Sequence, residues 1–398
     1  MIELISKIKK IAKEQKSNII EIRRHLHQYP ELSFQEYETM KFVSKILTEL
    51  DIEHQTAIAG TGIVARISGG NKEKKTIALR ADMDALPIEE KNNLPFKSQN
   101  KGIMHACGHD IHTASLLGTA KILKDLKEEF DGTIKLFFQP GEELIPGGAS
   151  LMINEGVLEN PNVQTIFGQH VMPQLNVGKV GFKPGMYMAS ADEIYIKVIG
   201  KGGHAAMPDA LNDPVIATAH ILIALQQVIS RKADPKIPTV LSFGKIIAQG
   251  ATNIIPNEVY VEGTFRTLNE NWRYKAHQEI EKIAKGTAFA LGVEIELEIR
   301  KGYPCLKNHE QTTLNAKNAA IEYLGAENVV DLDIWMASED FSFYSQKTNA
   351  CFYRIGTKNE KKMITSGVHT PTFDVDEEVL EISTGLMSYI ALKELQTP

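Results

Sequence analysis

The sequence predicts an α/β protein: a domain with a mixed, mostly parallel sheet flanked by helices, interrupted by an inserted ferredoxin-like α+β domain. Three observations carry this. Short apolar runs alternate with helical stretches through the first 185 residues, as expected of a sheet covered on both faces. Near Ala189 the pattern switches to alternation of apolar and polar side chains, the mark of strands with one wet face. After Gly302 the first pattern returns. The boundaries fall at 1–185 and 302–398 for the α/β domain and 186–301 for the insert.

Residues 2–29 form an amphipathic helix, with Ile5, Ile8, Ile11, Ile19, Ile22 and Leu26 at three- and four-residue intervals. A second helix spans 35–50. Buried strands follow at 62–67, 76–81, 133–138 and 165–168, with a helix at 111–126. In the insert, strands at 192–199, 239–247, 258–267 and 293–299 interleave with helices at 213–230 and 270–290. The resulting β-α-β-β-α-β order is the ferredoxin-like one. A strand at 351–355 and a helix at 377–395 close the chain.

The bulk numbers exclude several classes. Hydrophobic residues make up 43% and charged residues 24% of 398, with a net charge of −6. Such a chain offers no basic face for nucleic acid or membrane. No apolar run approaches the ~20 residues of a membrane span. The first residues lack the apolar stretch of a secretory signal, so the cytoplasm is the expected location. Three cysteines, Cys107, Cys305 and Cys351, cannot build a disulfide framework.

The chemistry concentrates at residues 105–112, HACGHDIH, immediately before a helix. Single histidines usually satisfy a local hydrogen bond. Histidines, a cysteine and an aspartate packed this closely point to a metal, and thiolate with imidazole suits zinc and its neighbours. Further polar clusters sit just past the predicted strand ends: Asp82-Met83-Asp84, Gln139 to Glu143, and Gln169-His170. Ligands bind beyond the carboxyl ends of strands in such sheets, so these placements agree with one another. A fourth cluster, 367–371 with His369, follows the late strand. One of two adjacent glutamates can ligate a metal while the other takes a proton from water and returns it to a leaving amine.

The segments RRHLHQYPELSFQE, LRADMDALPI, HACGHDIH, FQPGEE, GQHV, GKGGHAAMP, NIIP, SEDFSFY and GVHTPTFDVDEE together resemble one family. It is the aminoacylase and carboxypeptidase-G-like dinuclear metallopeptidase family, in its amidohydrolase branch. That branch includes hippurate hydrolases, auxin-conjugate hydrolases and N-acetyl-diaminopimelate deacetylases. The resemblance implies two divalent ions, zinc or manganese with cobalt and nickel as alternatives, held by Cys107, His109, Glu143, His170 and His369. It further implies Glu142 as general base and acid, Asp84 as the carboxylate behind the ligands, and His204 as an oxyanion donor reaching a neighbouring subunit. Asn253 and Arg266 would hold the substrate carboxylate. The insert would be a lid and dimerisation domain, making the protein a homodimer. The substrate would be a small N-acyl-amino acid, split into a carboxylic acid and a free amino acid. Asp82 stands where relatives outside this branch place a histidine ligand. Gly141 stands where many relatives have alanine, and Leu144-Ile145-Pro146 precede Gly147-Gly148.

Three other readings stand beside this one. A carboxypeptidase or dipeptidase would use the same scaffold. Cys107 activated by His109 would be a nucleophile. A degenerate relative would only bind amino-acid derivatives.

Overall fold

The computed structural model describes residues 2–397. The chain divides into two compact units. Unit 1 comprises Met1–Gly185, Lys307–Asp333 and Asp340–Pro398; unit 2 comprises Met186–Leu306 and Ile334–Glu339. In chain order the strands of the two main sheets are β1 (Glu53–Ile58), β2 (Gly62–Ser68), β3 (Thr76–Asp82), β4 (Thr133–Gln139), β5 (Thr165–Asn176), β6 (Val180–Phe182), β7 (Asp192–Ile199), β8 (Thr239–Ile247), β9 (Glu258–Thr267), β10 (Glu294–Lys301), β11 (Val329–Asp331) and β12 (Asn349–Lys358). The principal helices are α1 (Ile2–Gln28), α2 (Tyr37–Glu49), α3 (His109–Asp125), α4 (Pro214–Leu225), α5 (Glu270–Ala290), α6 (Glu310–Leu324) and α7 (Val379–Gln396).

Unit 1 is built on an eight-stranded mixed sheet in the order β1-β2-β4-β3-β5-β12-β6-β11. Its centre, β4-β3-β5-β12, is parallel, and β1 and β2 close one side antiparallel. Every residue of β3 and β4 is buried, which is why both read as short unbroken runs and not as alternation. Helices α1, α3 and α7 pack on one another. Nearly every side chain of α3 is buried, as expected of a helix enclosed on all sides. The α1 stripe of Ile8, Ala12, Ile19, Ile22 and Leu26 joins this core.

Unit 2 carries a four-stranded antiparallel sheet in the order β8-β9-β7-β10. Ile194, Ile196 and Val198 on β7 meet Ile221 and Leu225 of α4 and Ile280 of α5 in its core. Both helices have sequence-encoded starts. The Asp213 side chain accepts from the Val215 and Ile216 amides ahead of Pro214, and Asn269 accepts from Trp272.

Two expectations need correction. The strand expected to end at 168 runs on to Asn176, because β12 continues to pair it through His170 and beyond. The polar pair Gln169-His170 broke the apolar pattern while the backbone ladder continued. One stretch, Pro214–Lys232, is 19 residues long and apolar enough to cross a membrane, contrary to the expected absence of any such run. Within it Ala217, Thr218, Ile221, Leu225 and Val228 are buried in unit 2.

Candidate metal centre

Cys107 and His109 flank Gly108, which adopts a left-handed conformation (φ 82°) at the start of α3. A Cβ there would lie 2.6 Å from Val171 Cγ2, so only glycine lets the turn approach β5 this closely. The turn aims both side chains at one place. Cys107 Sγ lies 3.4 Å from His170 Nε2. The ligand atoms of Cys107, His109 and His170 all fall within 4.8 Å of one another, and so do those of Cys107, Glu143 and His369. A third such set joins His109, Glu142 and Glu143. The five residues assigned as ligands thus gather in two overlapping groups that share Cys107.

Hydrogen bonds settle which atoms face this centre. Asp84 Oδ1 takes the Nδ1 proton of His109 at 3.1 Å, and its Oδ2 accepts from Ser33 Oγ at 2.6 Å and the Glu143 amide at 2.9 Å. His109 Nε2 is therefore the ring atom left for a metal once its proton is displaced, and it is buried with no hydrogen-bond partner. His170 donates Nδ1 to the Val171 carbonyl at 2.7 Å, leaving its Nε2 toward Cys107. His369 Nε2 lies 3.1 Å from Glu143 Oε1, at an angle that makes no hydrogen bond and leaves that oxygen unsatisfied. A buried imidazole nitrogen and a carboxylate oxygen without partners are costly unless a cation completes them. The donor set of thiolate, imidazoles and carboxylate fits a pair of borderline divalent ions.

The electrostatics favour the protonated forms of Cys107 and His109, so a metal must displace a proton from each. Burial, then the carboxylates of Glu143 and Glu142, push the Cys107 thiol well up. That is the opposite of an activated cysteine nucleophile. Burial works against charge on His109, yet Asp82 and Asp84 raise its imidazole to about 10. Burial would raise Asp84, but the bonds it accepts from His109 and Ser33 hold it low.

Asp82 and His112 serve differently. Asp82 is paired with Arg80 and accepts the Nδ1 proton of His112 at 2.6 Å. His112 Nε2 in turn accepts the Val171 amide at 2.9 Å, tying α3 to β5 beside His170. Asp110 of the same motif accepts from Arg23 Nε at 2.8 Å and from His27 Nδ1 at 2.9 Å. Arg80 also reaches Gln139 and Asp340, at 2.9 and 2.7 Å. Sequence reasoning missed Ser33, Arg80, His112 and Asp340 as supports. The motifs containing them were the available signal, since buried ion pairs leave no periodicity.

His204, Asn253 and Arg266 belong to unit 2. His204 Nδ1 accepts the Ala206 amide at 3.1 Å, and the Asn253 carbonyl accepts the Ala205 amide at 3.0 Å, so these two stand together on an exposed turn. Arg266 is half-buried and donates to the Met336 carbonyl at 3.2 Å.

Comparison with known proteins gives concordant results. The family described as Peptidase family M20/M25/M40 matches residues 78–393. An N-acetyl-L-cysteine deacetylase of Bacillus subtilis is 39% identical over 377 residues, spanning 95% of this chain and 88% of its own. A thermostable carboxypeptidase of Saccharolobus solfataricus is 38% identical over 395 residues, 98% of this chain and 99% of its own. A solved Bacillus subtilis structure, described as a dinuclear metal-binding peptidase, superposes with a TM-score of 0.83 at 36% identity, covering 97% of this chain and 100% of that one.

Proposed function

The chain belongs to Peptidase family M20/M25/M40, and on that premise we propose how it works as a metal-dependent amidohydrolase that splits N-acyl-amino acids into a carboxylic acid and a free amino acid. The observation that carries the reading is the convergence of Cys107, His109, Glu143, His170 and His369, with His109 Nε2 and Glu143 Oε1 buried and unsatisfied. These five would hold two divalent ions, zinc or manganese by donor type. Bound there, the ions supply Lewis acidity and bring the pKa of a coordinated water from ~16 toward ~7. Glu142 stands beside the centre as the group that takes a proton and passes it to the leaving amine nitrogen. Asp84 holds His109 in the tautomer that ligates.

On unit 2, His204 keeps Nε2 available as an oxyanion donor, since its Nδ1 is occupied by its own turn. Asn253 and Arg266 are the groups for the substrate carboxylate, Arg266 by its planar fork. The chain would act as a homodimer through unit 2. Strand β8 is an open sheet edge carrying exposed Ile246 and Ile247, and α4 exposes Val215, Ile216 and Ile223. Such an edge invites pairing with a second copy. The three buried cysteines form no disulfide with one another, in accord with a reducing, cytoplasmic compartment.

A carboxypeptidase reading is favoured by the relatives named thermostable carboxypeptidases, which match this chain as fully as the deacetylase does. Metal analysis with turnover of N-acetyl- and N-benzoyl-amino acids against dipeptides decides between the two. Two equivalents of metal and faster release from the N-acyl substrates support the amidohydrolase. Faster cleavage of dipeptides replaces it with the peptidase, and turnover without metal overturns both.

A further inference from the structure

The segment from Glu31 to Glu36 lies apart from the metal-binding motifs, yet it grips the loop that carries Glu142. Phe34 sits in a left-handed conformation (φ 63°), after which Glu36 turns inward. Glu36 is fully buried. Its Oε1 accepts the Gly141 amide at 2.8 Å, and its Oε2 accepts the Thr61 hydroxyl at 2.5 Å. The Phe34 ring covers the other side of Gly141: a Cβ added at Gly141 would lie 2.4 Å from ring atoms Cε1 and Cζ. The Gly141 carbonyl accepts the Gly148 amide at 3.0 Å, closing the loop. Ser33, from the same segment, bonds Asp84, which in turn takes the Glu143 amide.

Burying a carboxylate to satisfy one amide and one hydroxyl is a costly arrangement, and a water or a serine would satisfy that amide in an ordinary turn. What the carboxylate and ring accomplish together is to fix Gly141 from its amide and from its α-carbon face. Glu142 is the next residue, so its backbone position is set by those contacts. We propose that Glu36 and Phe34 are positioning residues for the reaction, holding Gly141 so that the Glu142 carboxylate stays at its proton-transfer position. The inference rests on the reading of Glu142 as the proton carrier. Both act through the 140–143 backbone. Displacing a reacting group by about 1 Å costs on the order of a hundredfold in rate, so a clamp of this kind acts on kcat and leaves KM and metal content alone.

The test uses the metal-loaded full chain. Glu36→Ala removes the acceptor, whereas Glu36→Gln keeps an oxygen for the Gly141 amide. Glu36→Ala is expected to lower kcat about tenfold to a hundredfold, with KM within twofold and both metals retained. Glu36→Gln is expected to recover kcat to within about threefold of the parent. Hydrogen exchange of the peptide spanning 138–148 should quicken in Glu36→Ala and not in Glu36→Gln. Should Glu36→Ala fail to fold, Thr61→Val, which removes only the hydroxyl fixing Glu36, takes its place, with a fall in kcat of about threefold or more and faster loop exchange expected. Unchanged loop exchange, or faster exchange with unchanged kcat, overturns the clamp. A fall in kcat matched by Glu36→Gln or by loss of metal overturns it as well. If the parent turned over no N-acyl-amino acid, the proposed function would fall, and loop exchange alone would decide whether the clamp exists.

Discussion

Replacing Asp84 by asparagine isolates how the protein prepares its metal ligands. Asp84 receives three bonds: from His109 Nδ1, from Ser33 Oγ and from the Glu143 amide. An asparagine can accept with one oxygen only. If that oxygen faces His109, the amide nitrogen meets the Glu143 N–H donor to donor. If it faces Glu143, the nitrogen donates to His109 Nδ1 and moves the imidazole proton to Nε2, the atom needed for a metal. Either way one bond to a charged acceptor is lost inside a buried site, worth about 1.5–3 kcal/mol. That corresponds to roughly a 10- to 100-fold loss in metal affinity, the usual range for a residue behind a ligand. Competition with a chromophoric chelator at fixed pH measures it, with circular dichroism to verify the fold. Ser33→Ala is the milder companion, since it removes a bond without reversing one. Affinity of Asp84→Asn within threefold of the parent would refute the reasoning, because His109 would then need no fixed tautomer.

Three further outcomes are expected. Glu142→Gln keeps both metals and loses kcat by several orders of magnitude, whereas Glu143→Ala loses metal; turnover and metal content of the purified variants check this pair. His204→Ala keeps metal and fold but loses about 2.7–4 kcal/mol of transition-state stabilisation, and heterodimers formed with Glu142→Gln recover activity; verified heterodimers without recovery would exclude a cross-subunit role. Lys135, nearly buried on β4 with its Nζ on the Val157 carbonyl at 3.0 Å, is pushed down to about 8 by burial and then by Arg66. Its unfolded form keeps the proton to higher pH, so this penalty on folding is full below pH 8 and fades as pH rises toward 10. The stability advantage of Lys135→Met over the parent should shrink, by on the order of 1–2 kcal/mol after solvent screening, between pH 7 and 10 in urea titrations, and a pH-independent difference would dismiss the assignment.

Much of the fold was legible where a pattern had a single physical cause. The α1 stripe and the buried runs of β3 and β4 are burial patterns, and burial is what hydrophobicity reports. Strand β1 escaped because it is a polar edge strand, exposed along most of its length, with nothing apolar to announce it. In HACGHDIH the chemistry was visible and the division of labour was not. Cys107 and His109 turn to the centre, while Asp110 is taken by Arg23 and His112 by Asp82. Partners on α1 and β3 decide this, and they are distant in sequence. Asp82 had no clear part until Arg80 and His112 were seen to occupy it. Gly141, a departure from the alanine of many relatives, is explained by the Phe34 ring against it.

The split of unit 1 has a consequence for the order in which the chain can assemble as it leaves the ribosome. Strand β5 acquires its second neighbour β12 only late: Gln169 and its partner Tyr353 are 184 residues apart. At roughly 5–20 residues per second that interval lasts about 10–40 s. Helix α7, buried along nearly all of its length against the α1 and α3 layer, emerges later still. Nearly all of unit 2, by contrast, comes out as one continuous stretch and can complete its sheet in the meantime. The nascent polypeptide therefore carries a finished smaller body beside a larger one with a bare sheet edge and an uncovered apolar layer. That interval is when chaperones have most to shield, and a chain broken off before β12 would leave His170 on a strand paired on one side only.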